Sequence, residues 1–132
     1  MIMARLFIIL AMVIVAAIQP AIAQTATAQQ RREVVKALNA QLPQKYDEEA
    51  TFLEVKETPQ GELCFVFMMH NPLLQDPDVW TEENVKLAKA SFLEGFGASE
   101  DTRAFLRQFG KVLHVHYLNE KKEILAKTPI EL

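Results

Sequence analysis

The residues best equipped for chemistry are three histidines and a single cysteine. His114 and His116 stand at i and i+2, so on a β-strand both imidazoles leave one face, with Cα atoms about 7 Å apart. His-x-His in that setting is a metal-ligand arrangement, since imidazole suits zinc and copper. His70 follows Met68 and Met69, whose thioethers favour cuprous copper. It joins the pair only if the end of its strand approaches the other strand. The competing reading is that the pair fills the polar face of a strand. Cys64 with a histidine would supply nucleophile and base, but reactive thiols sit at helix starts or in electropositive openings. Flanked by Leu63 and Phe65, Cys64 reads instead as a small buried hydrophobe.

Carboxylates offer less. Asp47-Glu48-Glu49 is a run of three acids without the spaced ligands and glycine of a calcium loop. Glu82-Glu83 and Glu100-Asp101 are explained as charges that favour helix starts. The chain contains no glycine-rich phosphate loop, G-x-S-x-G or H-E-x-x-H. No catalytic residue and no cofactor site are assigned. Trp80, set among Asp76, Asp78 and Glu82, is a candidate partner-binding residue of the kind that anchors interfaces; otherwise it staples its loop to the core.

Where the protein works is written at the start of the chain. Arg5 supplies a positive n-region, residues 6–18 are unbroken apolar, and Ala21-Ile22-Ala23 is an A-x-A cleavage site. That pattern predicts a signal peptide over residues 1–23, cut after Ala23, and a periplasmic or secreted product. Removing 23 of 132 residues leaves 109, enough for one small domain over 24–132. The loss of Arg5 takes the formal net charge from −3 to −4. There is no basic stripe with interleaved aromatics, which argues against nucleic acid. One cysteine cannot make an internal disulfide, so the fold has to stand on its core.

The strand at the centre of that core is Leu63 to Met69, seven consecutive apolar residues rich in Phe and Val. This is the pattern of a strand covered on both faces. Leu63, Phe65, Phe67 and Met69 point one way, and Cys64, Val66 and Met68 the other. Val34, Val35, Leu38 and Leu42 recur at helical spacing, predicting a helix over 31–42 that Pro43 stops. Residues 51–57 alternate as a strand with Leu53 and Val55 on one face. Thr58-Pro59-Gln60-Gly61 is a type I turn feeding the central strand. Thr81 is placed to cap a helix running to about Glu94, and Ser99 to cap a shorter one ending before Gly110. Residues 111–118 and 123–128 read as strands, and Pro129 marks an edge. The predicted fold is α+β, with an N-terminal helix packed on a four-stranded antiparallel sheet in the order α-β-β-α-α-β-β.

That order resembles a set of small exported bacterial α+β proteins of uncharacterised function. The matching residues are Leu38-Asn39-Ala40-Gln41-Leu42-Pro43, Asp47-Glu48 ahead of Thr51, and Phe109-Gly110 ahead of Val112 to Tyr117. Those proteins carry a cysteine pair in their second half, where this chain has Ala98 and Leu132. The resemblance implies a helix-hairpin-helix-hairpin fold and brings no activity with it.

These observations point to a non-enzymatic, exported protein-binding module: an inhibitor, immunity-type antidote or envelope accessory factor. Its partner is another envelope or secreted protein, or a second copy in a homodimer, with no membrane association after signal cleavage. The alternative is a zinc- or copper-binding protein using His114, His116 and His70.

Overall fold

The computed structural model describes residues 27–95 and 99–132, so the export signal expected over residues 1–23, and Ala98, lie outside the described residues. Helix α1 spans Ala28–Asn39. It begins three residues earlier than its apolar spacing predicts because Thr27 and Gln30 close a capping box, each side chain bonding the other's backbone N–H. Val34 and Leu38 form its buried stripe. A two-residue strand β1 (Gln44–Lys45) leads into β2 (Ala50–Glu57) and the central strand β3 (Leu63–Met69). The turn between β2 and β3 is closed by the Gly61 N–H donating to the Thr58 carbonyl at 2.9 Å. Gly61 takes φ +82°, and a Cβ there would press on the Arg31 guanidinium at 3.1 Å.

The segment after β3 contains two 3-10 turns, Pro72–Leu74 and Pro77–Val79, each capped by the side chain before its proline, Asn71 and Asp76. Helix α2 (Glu82–Gly95) and helix α3 (Glu100–Leu106) follow. Strands β4 (Val112–Leu118) and β5 (Ile124–Glu131) complete the chain.

The sheet is five-stranded and mixed, in the order β1-β2-β3-β4-β5. This corrects the expected four antiparallel strands. Strands β3 and β4 run parallel, with Cys64 opposite His114 and Val66 opposite His116, while the other pairings are antiparallel. The physical reason lies in the connection. The helical stretch between β3 and β4 is long enough to cross over the sheet and return the chain in the same direction, which no tight turn can do. A second correction concerns β2. A bulge between Phe52 and Glu54 resets the alternation, so Phe52 and Val55 enter the core and Leu53 does not.

One core holds the domain. Phe52 stacks on Phe67 with centroids 4.8 Å apart and lies 5.0 Å from Phe65. Val34 and Leu38 of α1, Phe92 of α2, and Phe105, Leu106 and Phe109 join this same cluster with Leu113, Val115 and Ile130. At about 1.5–3 kcal/mol for each large apolar side chain withdrawn from water, this face of the sheet dominates stability. The described helices all pack on it.

Where β1 ends, Asn39 continues the edge. Its amide donates to the Val55 carbonyl at 2.9 Å and its side-chain oxygen accepts the Val55 N–H at 2.8 Å, the two bonds a neighbouring strand would make. Asn39→Ala leaves both backbone groups without that partner. We expect a loss of about 1–3 kcal/mol, measured by urea denaturation, with no change of fold by circular dichroism.

Candidate functional site

The far side of the sheet carries the residues singled out for chemistry. Cross-strand register sets them in rows: Lys56, Cys64, His114 and Pro129 in one, then Glu54, Val66, His116 and Lys127 in the next. Thr51, Met68, Leu118 and Ile124 form a third. Cys64 and Val66 are buried at the floor, whereas Ile124 is half exposed. Among the described residues, no helix covers this face. It holds a trough of about 410 Å³ with Val66, Leu118 and Ile124 on its apolar side and Lys56, Lys122 and His116 among its polar lining. Lys56 pairs with Glu54 at 3.1 Å. Lys122 lines the trough from a backbone with φ +65°, a left-handed conformation that residues other than glycine seldom adopt.

The three histidines are not brought together. His70 ends four residues beyond Val66 along β3, so it lies roughly 13 Å from the row that holds His116. Both of its ring nitrogens are engaged, Nε2 with Thr51 Oγ1 at 2.7 Å and Nδ1 with Glu120 Oε2 at 3.2 Å. His114 Nε2 meets Glu62 Oε1 at 2.9 Å. Among the described residues there is no group of three or more His, Cys, Asp or Glu side chains arranged to hold a metal ion. His114 and His116 do share a face, as their spacing predicts.

His116 has its pKa held below the ordinary value near 6.5, first by burial and then by the positive charges of Lys127, His114 and Lys56. Burial pushes the Cys64 thiol up to about 11, leaving it a poor nucleophile at neutral pH. Trp80 is half-buried rather than free. It stacks on Tyr117 with centroids 5.2 Å apart, and its indole N–H donates to the Leu74 carbonyl at 3.0 Å. It therefore staples the loop between β3 and α2 to the core, the second of the two roles its position allowed.

On the helix-covered side, a smaller cavity of about 140 Å³ opens between α2 and the sheet. Tyr46, Phe67, Phe92 and Tyr117 wall it, and Asp47, Glu49 and Ser91 are among its other lining residues. Burial raises the Tyr117 pKa and keeps its phenol neutral. Neither this cavity nor the lysines of the trough is evident in local sequence. The cavity draws on four elements, and the lysines are ordinary strand and turn residues until register aligns them.

No family model and no curated protein sequence matches the chain. Two solved structures share its fold. One is a Pseudomonas aeruginosa protein classed as secreted, with a TM-score of 0.60 and 10% identity over 79% of this chain and 88% of that one. The other is a pilotin of the Vibrio vulnificus type 2 secretion system, with a TM-score of 0.55 and 10% identity over 79% of this chain and 86% of its own. At 10% identity the likeness is one of fold.

Two measurements check this electrostatic description. Cys64 is expected to resist iodoacetamide in the folded protein and to react once urea unfolds it. For His116, the unfolded chain binds its proton more readily than the folded chain. Stability at this site is therefore intact above the ordinary pKa and is lost as pH falls below about 6.5. His116→Asn should lose less stability than the wild type between about pH 7 and pH 5, compared by urea midpoints.

Proposed function

We propose that this protein is a non-catalytic accessory factor of the cell envelope or extracellular space, and that it binds another protein through the uncovered face of its sheet. The observation that carries this reading is the asymmetry of the fold. The described helices crowd onto one face, while the other presents a trough of about 410 Å³ in which Val66, Leu118 and Ile124 lie beside Lys56, Lys122 and His116. A trough of that composition gives a partner both a desolvated floor and a polar rim, the division of labour seen at specific interfaces. Export rests on the N-terminal pattern ending at Ala21-Ile22-Ala23. The fold likeness to a protein classed as secreted and to a secretion-system pilotin favours the same setting. The absence of catalysis is supported by the raised pKa of Cys64 and by the separation of His70 from the other histidines.

A photocrosslinking residue at Leu118 or Ile124 should trap one defined envelope protein in cells. The same residue at Leu87, exposed on α2, should trap none. Leu118→Glu should remove the crosslink from Ile124 while leaving the thermal midpoint close to that of the wild type. Equal trapping from Leu87, or no defined product from the trough, would overturn the assignment.

A further inference from the structure

We propose that the partner of the uncovered sheet face is an acidic protein segment, whose carboxylates meet Lys122 and Lys127 while its apolar side chains cover Val66, Leu118 and Ile124. The proposal rests on the reading that this face binds protein, and adds to it the charge of what is bound.

Cations are distributed unevenly about the trough. Lys56 stands on β2, and Glu54 of the same strand meets its charge at 3.1 Å. His114, on β4, has Glu62 at 2.9 Å. Lys127 stands on β5 in the row of His116, and Lys122 on the turn that leads into β5. Both of these lysines are exposed, and among the described residues neither forms an ion pair. In a chain with 17 acidic against 14 basic residues, lysines left without a carboxylate run against the overall balance. Lys127 is also among the cations that, after burial, hold the proton off His116. The β5 side of the trough is therefore positive.

The turn points the same way. At φ +65°, Lys122 occupies a backbone region that glycine, asparagine and aspartate enter at lower cost. Its side chain makes no hydrogen bond among the described residues to offset that cost. What the conformation does is set an ammonium-bearing stem against the trough.

The floor decides what else the partner carries. Val66 on β3 and Leu118 on β4 lie between the lysine of β2 and that of β5, a span of three strand spacings, or roughly 14 Å. Ile124 is 51% exposed beside them. A purely acidic segment would leave Leu118 and Ile124 wet. A purely apolar one would take Lys122 and Lys127 from water and give them nothing in return. Carboxylates on the β5 side and apolar groups over the floor satisfy both.

Mapping by mass spectrometry the peptide trapped in cells by a photocrosslinking residue at Ile124 reads the partner's chemistry directly. The trapped segment should carry carboxylates beside apolar side chains and a net negative charge. Lys122→Glu/Lys127→Glu should cut trapping at least about tenfold, with a thermal midpoint close to that of the wild type. Arg32→Glu, the same change at an exposed position of α1, should leave it unchanged. Replacing the mapped carboxylates with lysine should restore trapping by the reversed variant. A neutral or basic segment, a lipid or a second copy of this chain as the product would overturn the proposal. So would trapping undiminished by the reversal. No defined product at all would instead remove the protein-binding reading, and this proposal with it.

Discussion

Two neighbouring strands that run in the same direction cannot be joined by a tight turn, and β3 and β4 run in the same direction. The chain between them must leave one end of the sheet and re-enter at the other. Among the described residues it does so through three 3-10 turns and two helices, and Phe92, Phe105, Leu106 and Phe109 from that excursion close over Phe65, Phe67 and Val115. Helix α1 packs on the same side through Val34 and Leu38. Among the described residues, covering one face in this way leaves the other to its own side chains. A single topological choice thus produces both the core and the bare surface.

The two faces solve the problem of burial differently. On the helix side, aromatic rings exclude water and the gaps between them are small. On the other side, Cys64 and Val66 are buried beside their cross-strand neighbours, Lys56 and His114 at the first, Glu54 and His116 at the second. Long charged side chains can cover apolar floor with their methylene stems while their heads stay wet. The cost appears in the titration of His116, whose proton is disfavoured first by burial and then by the cations grouped there in a chain of net negative charge.

Much of the architecture is legible in the sequence because its signals are local. The Thr58–Gly61 turn, the caps Thr81 and Ser99, the two-faced run from Leu63 to Met69 and the alternation of Leu113, Val115 and Tyr117 each announce themselves within a few residues, and each takes its expected place. What fails is whatever depends on partners. Strand direction is not a property of either strand, so β3 and β4 read as antiparallel. Strand β1 is two residues long, too short for a period, and the β2 bulge moves Leu53 away from the face it would share with Val55. Pro129 does mark an edge strand, but β5 runs through it to Glu131. The site is less legible still. His114 and His116 share a face as predicted, yet both the trough and the cavity are assembled from residues whose local context is unremarkable.

The pairing of Cys64 with His114 spans fifty residues. Helix α1 and the β2–β3 hairpin precede the crossover in the chain, and α1 packs against β2. The most apolar strand in the molecule, however, keeps one flank of backbone N–H and C=O groups open until β4 is delivered. An unpaired strand edge of that composition is a template for other chains, and the interval during which it stays open is set by the length of the crossover. The flank of the most apolar strand is thus covered only by a segment that lies beyond the crossover in the chain.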